Sequence, residues 1–78
     1  MVDVQILLNT VEKIKKFVGI ISTFDCNFDL ISGRYVIDAK SIMGIFSMDI
    51  SKPIHLVVHT NDSKLQEECK TAIAEFIV

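Results

Sequence analysis

The sequence has little of what marks a disordered, secreted or membrane-spanning chain. It contains one proline in 78 residues and is half hydrophobic, which is typical of a folded chain and excludes extended disorder. No apolar run approaches the roughly 18 residues that a membrane-spanning helix needs. No basic segment precedes Asp3, which interrupts the first apolar residues, so we expect no signal peptide. At this length we expect a single domain, residues 1–78, in the cytoplasm.

Positive charge is also scarce. The chain carries 8 Lys and Arg residues against 10 Asp and Glu residues, which gives a formal net charge of −2. Proteins that bind nucleic acid or anionic membranes usually carry a clear excess of positive charge. We therefore expect protein partners, with no nucleic acid and no membrane as the main partner.

The residues that could carry catalysis or bind metal are few and widely spaced. Cys26 and Cys69 lack the spacing of metal ligands, and in the cytoplasm we expect two reduced thiols. His55 and His59 lie four residues apart on a predicted strand, a separation of ~13 Å that is too long for a shared metal ion. No nucleotide-binding glycine loop or nucleophile triad is present in the sequence. We expect no enzyme, no metal and no cofactor.

Hydrophobic periodicity predicts four strands and three helices. The apolar residues alternate over the strands near 2–8, 26–30, 35–37 and 54–59, and they follow helical spacing near 10–23, from 41 and near 63–76. Asn9, with Glu12 three residues later, predicts a capping box at the first helix. The order βαββαβα, with one apolar face on each strand, predicts an α+β open-faced β-sandwich: a four-stranded antiparallel sheet with three helices on one face.

A short apolar segment follows the third predicted strand. Residues 38–50 read Asp-Ala-Lys-Ser-Ile-Met-Gly-Ile-Phe-Ser-Met-Asp-Ile. Ser41 suits an N-cap because its hydroxyl can accept from a backbone N–H of the following turn, and Gly44 limits the length of the helix. The apolar residues of this segment are either the core of a small domain or, for Met43, Phe46 and Met48, partly an exposed and adaptable docking surface.

The element order, together with the run Lys-Ser-Ile-Met-Gly at residues 40–44, resembles HPr, the small phosphocarrier of the bacterial sugar phosphotransferase system. The hairpin Ser-Gly-Arg at 32–34 and the strand after it add weaker support. The run at 40–44 is similar to the regulatory serine motif of HPr from low-GC Gram-positive bacteria. In those proteins the matching serine is phosphorylated from ATP by a dedicated kinase, and neighbouring apolar residues dock partners.

This resemblance implies roles for the residues of the short helix. Ser41 corresponds to the regulatory phosphorylation site. The residues that would bind protein partners, an HPr kinase and a transcription regulator among them, are Lys40, Ile42, Met43 and Phe46. The resemblance further implies a link to carbon catabolite repression.

The carrier half of the HPr pattern is missing. HPr carries its phosphate on a histidine at the start of the first helix, within a glycine–apolar–histidine–any–arginine–proline stretch. In this sequence Thr10 stands at the place of the histidine, Glu12 at the arginine and Lys13 at the proline. A phosphohistidine needs an imidazole nitrogen as nucleophile and positive charge around the phosphoryl group. The resemblance therefore implies a chain without the carrier histidine, as in the Crh-like members of the family.

Three functions stay open at this point. The first is a regulatory protein-binding module, a monomer or weak homodimer, switched by phosphorylation at Ser41. The second is a phosphocarrier that works through an atypical residue. The third is a structural domain that is not phosphorylated, in which the apolar surface around Phe46 closes a homodimer and Ser41 is only an N-cap that contributes ~1 kcal/mol.

Overall fold

The structure, a computed structural model, describes residues 2–78. Its elements in chain order are β1 (Val2–Ile6), α1 (Val11–Ile21), β2 (Asn27–Ser32), β3 (Tyr35–Asp38), α2 (Ile42–Phe46), β4 (Ile54–His59), α3 (Ser63–Ala72) and a final 3-10 turn (Ala74–Phe76). The strands form one antiparallel sheet in the order β1-β4-β2-β3. The predicted open-faced α+β sandwich with three helices is confirmed. Within residues 2–78, the helices are too short or too polar to cross a membrane.

The core lies between the sheet and the helices. Alternation along β4 buries Ile54, Leu56 and Val58 on the face that the helices cover. Each of the three helices adds at least one fully buried side chain to the same cluster. Phe17 of α1 and Phe76 of the final turn meet edge to face, with ring centroids 5.6 Å apart. Burial of apolar surface from every element therefore holds the sheet and helices together.

The start of α1 differs from the prediction. Thr10 is the N-cap: its backbone is extended, and its hydroxyl accepts from the N–H of Lys13 at 3.1 Å. The predicted capping box between Asn9 and Glu12 is wrong, since the Oδ1 atom of Asn9 instead accepts from the ammonium group of Lys13 at 3.0 Å. The helix covers Val11–Ile21, which is shorter at both ends than the predicted 10–23.

The helix α2 lies unusually close to strand β3. A Cβ atom built on Gly44 would lie 2.5 Å from the Cγ2 atom of Ile37 and 3.3 Å from the Oγ atom of Ser41. Real side chains do not approach so closely, and the γ-methyl of a β-branched residue has little freedom to move away. The absence of a side chain at residue 44 therefore sets the distance between α2 and the sheet.

Both cysteines are free thiols. Cys69 is fully buried on α3, whereas Cys26 is half-buried just before β2. Burial raises the pKa of the Cys69 thiol to about 11, and the neighbouring Cys26 adds to this rise. At neutral pH Cys69 is therefore protonated and packs as a small hydrophobic residue.

We expect Gly44→Ala to destabilise the fold. Alanine favours a helix by up to ~1 kcal/mol over glycine, but the overpacking against Ile37 costs ~1–3 kcal/mol, so the net loss should be about 1 kcal/mol. Gly19→Ala is the matched control, because nothing lies within 4 Å of a Cβ atom on that residue of α1. Urea unfolding should show the control gaining about 0.5–1 kcal/mol. Equal stabilisation of both variants would contradict the close contact.

Candidate functional site

Ser41 is the N-cap of α2, as the sequence predicts. Its backbone is extended (φ −93°, ψ 102°), and its carbonyl accepts from the N–H of Ile45 at 3.1 Å. Its hydroxyl accepts from the N–H of Gly44 at 3.3 Å, slightly longer than a usual hydrogen bond. The first N–H groups of any helix lack acceptors within the helix, so the Ser41 hydroxyl lies beside backbone donors. Ser41 is half-buried.

The turn before Ser41 is held by hydrogen bonds of its neighbours. The Oδ1 atom of Asp38 accepts from the N–H of Lys40 at 2.9 Å, and the Asp38 carbonyl accepts from the N–H of Ser41 at 2.9 Å. The Lys40 ammonium donates to the Phe24 carbonyl at 2.6 Å and lies 5.7 Å from the ring centroid of Phe28, within cation–π range. Lys40 therefore links this turn to residues at and just before the start of β2, and its ammonium group already has partners within the fold.

The apolar residues of α2 divide between core and surface. Ile45 is fully buried, which agrees with the core alternative. Met43 is 76% exposed and Phe46 is 42% exposed, which agrees with the docking alternative, and Ile42 is half-buried against the core. We call the residues Ile42, Met43 and Phe46 the apolar α2 surface. It is continuous in sequence with the Ser41 cap, so a charge added at Ser41 would change the polarity of the same short element.

Thr10, at the place that the resemblance assigns to the carrier histidine, has a structural role. Its hydroxyl caps α1 through the N–H of Lys13. Glu12 is exposed in the first turn of the helix and places a negative charge beside Thr10. Val11, in the first turn of α1, is exposed. This end of α1 therefore presents a hydroxyl, an exposed apolar side chain and a carboxylate.

The histidines lie on the polar face of the sheet, where each binds an aspartate on a neighbouring strand. His55 of β4 contacts Asp3 of β1. The Nε2 atom of His59 lies 2.7 Å from the Oδ2 atom of Asp29 on β2. The sequence pattern did not predict this pairing, which depends on β4 lying between β1 and β2. Among residues 2–78, His, Cys, Asp and Glu side chains form no group of three or more that could hold a metal ion.

Comparisons with known proteins agree with this architecture. The family model PTS-HPr, described as the PTS HPr component phosphorylation site, matches residues 12–78. The chain therefore belongs to the HPr family of the phosphotransferase system. The matched range includes the Ser41 cap and the whole of α2, and it begins two residues after Thr10.

A solved structure supports the same assignment. HPr-C-His from Thermoanaerobacter tengcongensis is 26% identical in sequence, with a TM-score of 0.77 over 96% of this chain and 89% of that chain. The comparison with curated proteins gave no match. Both the sequence family and the fold are thus those of HPr, with the family match starting inside the first helix.

We expect Thr10→Ala to destabilise the protein by ~1 kcal/mol, because the N–H of Lys13 would lose its side-chain acceptor. Asn9→Ala is the matched control. Asn9 makes only an exposed bond to a lysine side chain, so its loss should change stability by less than ~0.5 kcal/mol. Urea unfolding of both variants decides between the two caps, and a larger loss for Asn9→Ala would contradict Thr10 as the cap.

Proposed function

We propose that this HPr-family chain, a single domain over residues 1–78, is a regulatory protein-binding module of the cytoplasm without a histidine phosphocarrier or catalytic role. Phosphorylation of Ser41 would switch it between partners. The observation that carries this proposal is the position of the Ser41 hydroxyl at the cap of α2, next to the exposed Met43 and Phe46. A kinase and a transcription regulator are the partner classes that fit this role.

A phosphate at Ser41 has two physical consequences. It would bring about −1.5 to −2 charges and three strong acceptor oxygens to the first turn of α2, where the Gly44 N–H already donates to the hydroxyl. Because α2 has only five residues, these local N–H groups matter more than the helix dipole. The same charge would raise the cost of burying Met43 and Phe46, so partners that need the apolar α2 surface would be released. Partners that present an arginine cluster would bind more tightly.

The residues around Thr10 support the absence of a carrier function. Its hydroxyl is already used as a helix cap, and a threonine oxygen forms a phosphate ester instead of the labile phosphorus–nitrogen bond that a carrier transfers onward. Glu12 would repel an incoming phosphoryl group. The histidines His55 and His59 lie beside Asp3 and Asp29, whose negative charge likewise opposes a phosphoryl group.

The proposal predicts that ATP and a bifunctional HPr kinase add one phosphate to the chain. Intact mass spectrometry should show this single addition, and Ser41→Ala should abolish it. Ser47→Ala is the matched control, because Ser47 is an exposed serine at the other end of α2, where its hydroxyl donates to the Gly44 carbonyl. A phosphate that persists in Ser41→Ala, or no phosphate in any variant, would contradict the Ser41 switch with this kinase.

The apolar α2 surface has its own test in the same assay. We expect Met43→Ser to slow phosphorylation while leaving stability nearly unchanged, since this side chain is exposed and would act by docking the kinase. Val78→Ser removes an exposed apolar side chain elsewhere and should leave the rate unaltered. Equal phosphorylation rates for Met43→Ser and Val78→Ser would contradict a docking role for Met43.

The carrier alternative is tested by incubation with phosphoenolpyruvate and the first enzyme of the phosphotransferase system. We expect no acid-labile phosphate on the chain. Its appearance would establish a carrier that uses an atypical residue and would overturn the proposal.

A further inference from the structure

The two edges of the sheet are protected differently. The C-terminal segment binds the last part of the outer edge of β1: the N–H of Leu7 donates to the Phe76 carbonyl at 2.9 Å, and the N–H of Val78 donates to the Gln5 carbonyl at 3.1 Å. At the opposite edge, β3 pairs with β2 alone among the strands of residues 2–78. One side of β3 therefore presents backbone groups without a strand partner.

The direction of those groups follows from the pairing with β2. The N–H of Ala39 donates to the Phe28 carbonyl of β2 at 2.8 Å. Because residues on an antiparallel edge strand alternate between facing their partner and facing outward, Val36 and Asp38 direct their N–H groups away from β2. Val36 also directs its carbonyl outward, so it offers both a donor and an acceptor.

Strand β3 has little of the usual protection of an edge beyond its short length and the charged Asp38 at its end. It contains no lysine, proline or glycine, and its two β-forming residues Tyr35 and Val36 are 72% and 64% exposed. The two-residue turn before β3 has a positive φ at Gly33 (57°) and none at Arg34, which is the pattern of a type II′ hairpin turn. Exposed apolar edges of this kind are templates for another strand.

We propose that β3 pairs antiparallel with β3 of a second copy of this chain, around a two-fold axis at Val36. Outward-facing residues must oppose outward-facing residues, so Val36 would exchange two hydrogen bonds with its counterpart. The same register sets Arg34 opposite Asp38 of the partner subunit, once at each end of the pair. A shift by two residues would set Arg34 opposite Lys40 of the partner subunit, where like charges repel. A shift in the other direction would set Arg34 opposite Val36 of the partner subunit and would leave no pair of opposite charges. Charge complementarity therefore favours the register centred on Val36.

The pairing joins two four-stranded sheets into one of eight strands. On the helix side it would cover Tyr35 and the edge of Ile37, and on the polar side it would cover Val36. A contact along four residues is smaller than the interfaces of stable dimers, so the dimer is weak and concentration-dependent. It uses the strand edge instead of the surface around Phe46, and it does not depend on phosphorylation of Ser41.

The first test is amide hydrogen exchange by nuclear magnetic resonance over a range of protein concentrations, with sedimentation velocity on the same samples. Protection of the Val36 and Asp38 amides should rise with concentration, while Tyr35 and Ile37, which already face β2, should not change. If the two α2 helices collided, the strands could not pair and exchange at the Val36 amide would not depend on concentration. That result would overturn the proposal. So would a dimer whose new protection falls on other residues.

Charge variants then test the register. Arg34→Asp should weaken association about tenfold, because two attractive pairs become repulsive. Lys64→Asp carries the same charge change at an exposed position on α3 and should associate like the parent chain. The variant D38R should also fail to self-associate, yet an equimolar mixture of R34D and D38R should form a mixed dimer with two attractive pairs. Folded variants that fail to recover association when mixed would contradict this register.

Discussion

The contact between α2 and β3 at Gly44 positions the whole candidate site. Because residue 44 has no side chain, α2 packs directly over Ile37, and its cap residue Ser41 lies at the end of the turn that follows β3. The same contact buries Ile45 and leaves Met43 and Phe46 on the outside. The distance between one short helix and one edge strand thus decides which of these side chains reach solvent.

The HPr pattern has two parts, the serine segment at residues 40–44 and the stretch at the start of α1, and this sequence matches only the first. The serine segment has a hydroxyl acceptor beside a backbone donor and an exposed apolar surface, and the proposed control of docking by charge rests on these two features. The end of α1 keeps the shape of a helix start, but Thr10 uses its oxygen to cap the helix and Glu12 brings the wrong charge for a phosphoryl group. The fold of the family therefore does not depend on a histidine at the start of α1.

Local signals made much of the fold predictable. Periodicity gave the number and order of the elements, and hydroxyl chemistry gave the Ser41 cap, since both depend on residues within one or two turns. Asn9 and Thr10 are adjacent and both suit a cap, so the choice between them depends on where the chain leaves β1. The pairs of His55 with Asp3 and His59 with Asp29 depend on the strand order, which no local pattern reveals.

The most direct test of the central claim is a backbone amide spectrum of the chain before and after phosphorylation at Ser41. If the cap and the apolar α2 surface form one switch, the amide resonances of Gly44 and the first turn of α2 should shift strongly as the phosphate accepts from their N–H groups. The resonances of β1 and β4 should stay in place, because the fold accommodates the charge. Unchanged α2 resonances, or a general loss of dispersion from unfolding, would contradict the claim.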